Sequence, residues 1–324
     1  MRSETSIMSQ VLESSTDIAD AAADKRPDTG FQTLRQIRET AFGAVENLLS
    51  GNCGLTGLAT GFDELDRATG GLQKGELTVI AAVPAMGSTS FAMNIAAKAA
   101  IHLNAKVGMF SLELTKLSLL HRMLASEARV PLVMLEHGFL AKEEICKVES
   151  ALVRLEATRV SIDDTVDISL SELRSRAKRH SEDQGGLDLI LVDPLQLVPV
   201  VAGSACLGTD EDMAPDLSVI SHGLKALAEE FDMPVIATLR LPKLKRKTGA
   251  ERRPTLNDLR AYGAIGRDAD QVLFVHREVY YRVDAELAEA DRRKAEIVVA
   301  KHRTCPLTTF YMDFNAACMC FNDL

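Results

Sequence analysis

The sequence predicts an α/β domain built on a mainly parallel central sheet with helices on both faces. Three observations predict it. Short β-branched runs alternate with helical segments along most of the chain, those runs are apolar on both faces, and the first leads through a glycine turn into a helix. On sheets of this kind ligands bind at the carboxyl ends of the strands.

Taken in order, residues 1–30 are rich in Ser, Thr, Asp and Ala and read as a mobile tail. Over 31–49 the apolar positions Leu34, Ile37, Ala41, Val45, Leu48 and Leu49 recur at helical spacing, and Gly51 follows as a stop. That amphipathic helix must lay its stripe on its own domain or on a neighbouring subunit. Strands are expected at 77–82, 107–111, 159–162, 187–193, 235–239, 271–276 and 296–301. Helices are expected at 91–103, 116–127, 142–156, 171–180 and 216–230. The chain thus divides into a tail at 1–30, a helix at 31–50 and the sheet domain at 51–324.

Composition narrows the class. With 324 residues, 46% apolar and 26% charged, the chain has the balance of a globular protein and excludes a fibre or a largely disordered chain. The richest apolar stretch, 187–202, is broken by Asp188, Asp193, Pro194, Gln196 and Pro199, so no membrane association is expected. The first 30 residues lack the apolar core of a secretory signal, and a cytoplasmic location is expected. Six scattered cysteines do not make a disulfide framework. Cys318 and Cys320 are expected on one face of a strand, without the second pair that zinc needs. A net charge of -9 argues against a protein that coats nucleic acid over its whole surface, but leaves room for a local basic channel.

The chemistry is carried by the segment from Leu77 to Ala100: a buried strand, a turn with Pro84 and Gly87, then a helix starting near Thr89. That is the layout of a phosphate-binding loop, in which backbone N–H groups cradle phosphates, a lysine reaches the β and γ phosphates, and a hydroxyl holds Mg²⁺. Pro84, Gly87, Ser88, Thr89 and Ser90 are the candidate cradle. Here Ser88 holds the lysine position, and the motif's first glycine position is Val83 or Pro84. A second apolar strand ends in Asp193, where an aspartate can accept from Mg²⁺-bound water, and Glu113 ends a third, where a carboxylate can orient an attacking water. Each residue also has an ordinary structural explanation: Asp193 as a cap before Pro194, Glu113 as an exposed charge.

At this point the chain resembles the C-terminal, RecA-like motor domain of DnaB-type hexameric DNA helicases. The resemblance covers about residues 50 to 324. It rests on TGLATGFDELDRATGGLQKGEL (56–77), the loop with Phe91 and Asn94, FSLEL (110–114), IDDT (162–165), LVDPLQL (191–197), LKALAEEF (224–231), RPTLNDLRAYGAIGRDAD (253–270) and AKHR (300–303). It implies a RecA-like P-loop fold preceded by a linker helix, ATP and Mg²⁺ as cofactors, single-stranded DNA as a partner, and a homo-oligomeric ring or association with a related helicase. It also implies roles: Glu113 as the carboxylate that positions water, Thr89 and Asp193 at Mg²⁺, Lys301 and Arg303 as a basic pair reaching a neighbouring subunit's nucleotide, and Arg260 and Gly263 at the DNA backbone. The family's N-terminal collar domain is expected to be missing.

Departures from the family pattern bear on activity. Ser88 replaces the loop lysine, Val83 replaces an arginine, and Arg240 stands where a glutamine links nucleotide state to the DNA loops. The loop 203–215 is acidic where the family is basic and polar. Against that, Lys243, Lys245, Arg246 and Lys247 open a basic run with the charge to contact several phosphates, although no aromatics are interleaved for base stacking. Two readings follow: an ATP-dependent DNA motor, or a catalytically silent relative acting as a nucleic-acid-binding or oligomerisation module. A third is an ATP-dependent ring acting on protein partners.

Overall fold

The computed structural model describes residues 33–35, 55–199, 217–242, 253–281 and 289–324. The chain falls into two units, Met1–Gly54 and Leu55–Leu324. In the first, Leu34 and Arg35 are helical, and the rest of the expected 31–49 helix lies outside the described residues.

The second unit opens with α1 (Asp63–Thr69), which ends where Gly70 turns left-handed, and then enters β1 (Leu77–Ala82). Six consecutive buried residues, LTVIAA, make β1 a strand covered on both faces. The turn 83–87 leads into α2 (Ser88–Leu103), followed by β2 (Lys106–Ser111). Three helices come next, α3 (Lys116–Ala128), α4 (Leu132–His137) and α5 (Lys142–Glu156). Thr115 caps α3 by accepting from the Ser118 N–H. Then come β3 (Arg159–Asp163), α6 (Leu170–Gln184), β4 (Leu189–Asp193), α7 (Ser218–Phe231), β5 (Val235–Arg240) and β6 (Gln271–His276). The chain closes with β7 (Lys294–Lys301), β8 (Thr308–Asn315) and β9 (Cys320–Asp323).

The nine strands form one sheet in the order β3-β2-β4-β5-β1-β6-β7-β8-β9. From β3 to β6 every pairing is parallel, and β7, β8 and β9 extend it antiparallel. All seven expected strands are present, and the mainly parallel α/β architecture is the one the alternating pattern predicts.

The register decides where the site forms. Ala82 lies level with Arg240, and Ser111 with Asp193, so the carboxyl ends of β1, β2, β4 and β5 finish side by side. Lys301, by contrast, pairs with Val272 near the start of β6, at the other end of the parallel strands.

The hairpin of β8 and β9 was not expected from the sequence, and it corrects one reading. Cys318 lies in the turn between the two strands and Cys320 in β9, so they do not share one strand face, although both are buried. The hairpin instead brings Phe314 and Phe321 together, ring centroids 4.2 Å apart, and Phe321 against Phe91 of α2 at 5.1 Å. Among the described residues, no helix is long and apolar enough to cross a membrane.

Candidate functional site

The turn after β1 sits at the level carboxyl ends of four strands. Gly87 has φ 102°, which favours glycine, and a Cβ there would stand 3.1 Å from Phe321 Cζ and 3.2 Å from Phe314 Cζ. Ala85 also has a positive φ, 68°. Counting back five residues from Gly87, the motif's first glycine falls on Ala82, the last residue of β1, and not on Val83 or Pro84. Helix α2 begins at Ser88 with no side-chain cap, which leaves its first N–H groups to a ligand or to water.

Thr89 and Asp193 meet directly: Thr89 Oγ1 donates to Asp193 Oδ1 at 2.9 Å. Thr238 of β5 donates to the same oxygen from the other side. Asp193 is 4% exposed, and its second oxygen, Oδ2, is buried without a hydrogen-bond partner. Burial pushes the Asp193 carboxyl above the ordinary aspartate value, while the two threonine hydroxyls and the nearby Arg122 guanidinium pull it back. Two polar atoms here are thus unsatisfied, because Arg122 Nε is also buried without a partner.

Glu113 follows β2, and Ser111 steadies that corner by donating to the Leu114 carbonyl at 2.7 Å. Across from Glu113, Arg240 ends β5 and grips it with both guanidinium nitrogens, Nη1 to Oε1 at 2.8 Å and Nη2 to Oε2. The direction of Arg240 is therefore toward the carboxylate. Gln196 brackets the Arg240 backbone, its Nε2 donating to the carbonyl at 2.6 Å and its Oε1 accepting from the N–H at 3.1 Å. Another cation at this end, Arg277 after β6, lies 4.8 Å above the Phe314 ring, and burial lowers its pKa.

The other predicted residues lie apart from this cluster. Lys301 donates to the carbonyls of Gly266 at 3.0 Å, Arg267 at 2.8 Å and Ala269, which satisfies the end of the short helix Ile265–Asp268. Arg303 pairs with Asp270 at 2.6 Å. Neither is a freely solvated strand-end charge. Arg260 is exposed on a short 3-10 turn, and Gly263 follows it at φ 80°. Lys243, Lys245, Arg246, Lys247 and the acidic loop 203–215 lie outside the described residues.

Sequence reasoning missed Arg122, Gln196, Thr238 and Tyr262. Only Thr238 left a signal, as a hydroxyl inside an otherwise apolar strand and two residues before Arg240, hence on the same strand face.

The residues fit a magnesium–nucleotide ligand on one side and not on the other. A buried carboxylate oxygen without a partner, beside a hydroxyl at a helix start, is the donor set that a hydrated Mg²⁺ requires. The lysine that would face the phosphates is Ser88. Strand-end carboxylates gathered over a glycine turn and a helix N-terminus define the nucleotide-handling class of parallel α/β domains.

Comparisons with known proteins make the class specific. Residues 57–323 match the DnaB-like helicase C terminal domain, and the chain belongs to that family. It is 37% identical over 297 residues to the replicative DNA helicase DnaB of Buchnera aphidicola subsp. Acyrthosiphon pisum, covering 90% of this chain and 62% of that protein. Against DnaB of Geobacillus stearothermophilus it is 35% identical over 292 residues, with the same coverage of each. The chain thus spans about 62% of the length of these relatives. Among solved structures it is similar to an isolated ATPase domain, with TM-score 0.78 and 28% identity over 89% of this chain and 98% of that one. It is also similar to a DnaB-like replicative helicase described with its primase interactions, with TM-score 0.76 and 26% identity over 100% of this chain and 76% of that one. The fold is RecA-like.

Proposed function

We propose that this chain is a DnaB-family domain of DNA replication or repair that binds nucleic acid or its own kind and does not turn over ATP unaided. The observation that carries the reading is the state of the strand ends. The metal-side residues are assembled, whereas the phosphate-side lysine is Ser88 and the nearest candidate replacement, Arg240, is committed to Glu113. Removing one preorganised neutral donor from a site of this kind costs about 10²–10³ in rate, and a charged donor in a desolvated site costs no less.

ATP with Mg²⁺, when bound, supplies the transferable phosphoryl group and the charge that offsets it. Thr89 and Asp193 would hold the metal side, and the backbone from Pro84 to Ser90 would cradle the phosphates. Lys301 and Arg303, at the far end of the sheet, would serve a neighbouring subunit in a ring. Arg260, Gly263 and the basic run at Lys243, Lys245, Arg246 and Lys247 would contact single-stranded DNA, and a related helicase is the alternative ring partner.

The test is ATP turnover by the purified chain with Mg²⁺, with and without single-stranded DNA, beside Ser88→Lys and Glu113→Gln. Background turnover in the unmodified chain, raised in Ser88→Lys, supports the silent reading. DNA-stimulated turnover that Glu113→Gln abolishes would overturn it and establish a working motor.

A further inference from the structure

The proposed silence has a second cause, separable from the missing lysine, in a residue the family pattern leaves without a role. Arg240 meets Glu113 as a two-pronged pair, which occupies one lone pair on each oxygen and cancels the charge that would draw a proton from water. Its backbone is not free to follow another ligand. Gln196 holds both its N–H and its carbonyl, and the Tyr262 hydroxyl donates to that carbonyl at 2.9 Å. Only the side chain can swing.

Exposure decides whether the contact is permanent. The Arg240 and Glu113 side chains are 43% and 36% exposed, so water screens the pair and holds its strength down. A multiply charged phosphate brought to the neighbouring turn, level with Arg240 through Ala82, would compete for the guanidinium better than a single carboxylate does.

We propose that Arg240 is a positioning residue that gates Glu113, keeping the carboxylate from water until an oligophosphate at the 83–89 turn draws the guanidinium away. The proposal rests on the reading that this turn takes a nucleoside triphosphate. It makes the loss of activity a double lock: Ser88 weakens arrival of the ligand, and Arg240 holds the carboxylate until that arrival.

The experiment uses the full chain in the Ser88→Lys background and compares Arg240→Gln, Arg240→Lys and no further change. Steady-state ATP turnover with Mg²⁺ is expected to show kcat about tenfold or more higher with Arg240→Gln and a smaller change in KM, while Arg240→Lys, which keeps a cation there, stays near the Ser88→Lys value. Equal kcat in all three overturns the gate. Titration of Ser88→Lys with a fluorescent ATP analogue and Mg²⁺ judges the underlying reading separately. If that variant does not bind, the reading of the turn fails, and the gate is judged without nucleotide. Thermal midpoints of Arg240→Gln, Glu113→Gln and the double variant should then be non-additive, and additive shifts would overturn the contact on which the gate depends.

Discussion

The two ends of the parallel strands are built from similar residue types and finish in opposite states. At the amino end, the buried Asp270 carboxylate takes the Leu77 N–H at 2.7 Å, Lys225 Nζ at 3.0 Å and Arg303 at 2.6 Å. Lys225 also donates to the Gly75 carbonyl at 2.6 Å, and Lys301 is spent on three carbonyls. At the carboxyl end, Asp193 Oδ2 and Arg122 Nε are buried without hydrogen-bond partners, and the strongest contact is a partly exposed ion pair. Satisfied polar groups at one end hold the fold, and unsatisfied ones at the other are poised for a ligand the chain does not supply.

The largest effect should come from breaking the satisfied end. Asp270→Ala leaves Lys225 without its buried carboxylate and is expected to cost about 3 kcal/mol in denaturant unfolding. A loss near zero would remove the contrast between the ends.

Gly87→Ala comes next, at about 2 kcal/mol without any ligand, because φ 102° and the rings of Phe314 and Phe321 both oppose a Cβ. Part of that loss should return when Phe314→Leu is added. No recovery would mean that backbone strain alone, and not the packing of the hairpin, demands glycine.

Asp193→Asn should stabilise the chain by about 1 kcal/mol near neutral pH, the gain expected when a site residue is relieved of its burden. The sign follows from burial. Because the folded carboxyl sits above the ordinary value of 3.8, its protonated form contributes stability fully below 3.8, and that contribution is lost as pH rises through the raised value. Asparagine stays neutral throughout, so its advantage should appear in thermal melts above that value and vanish in acid. A constant advantage across pH would show that Asp193 is not ionised in the folded chain.

The smallest effect belongs to Arg240→Gln alone, below about 1 kcal/mol in thermal stability, since its pair with Glu113 is screened by water. A larger loss would place Arg240 among the residues that hold the fold.

Most of the fold was legible because it is written in apolar runs. The runs at Leu77 and Leu189 could only be strands buried on both faces, and β6 was expected at its observed bounds. The hairpin carried its own alternating signal, with Phe310, Met312 and Phe314 facing inward, but an antiparallel addition breaks the strand–helix rhythm that guided the reading.

At the candidate site, Thr89, Asp193 and Glu113 were legible because each ends or follows a strand in a recognised motif. The embrace of Glu113 by Arg240 was not, since the two stand 127 residues apart and sequence does not fix where a long side chain points. Lys301 and Arg303 were legible as a basic pair, but their attachment to carbonyls and to Asp270 depends on the register of β6 with β7. Arg122 gave no signal at all, being one more cation on an amphipathic helix.

The most direct measurement of the contrast is equilibrium binding of a fluorescent ATP analogue with Mg²⁺ to the unmodified chain and to Ser88→Lys. The expected result is binding about tenfold or more tighter in Ser88→Lys, as one charge-assisted contact to phosphate is restored to strand ends that are otherwise assembled. Equal and tight binding by both chains would contradict it, and would mean that the carboxyl end already holds its phosphate clamp without a lysine.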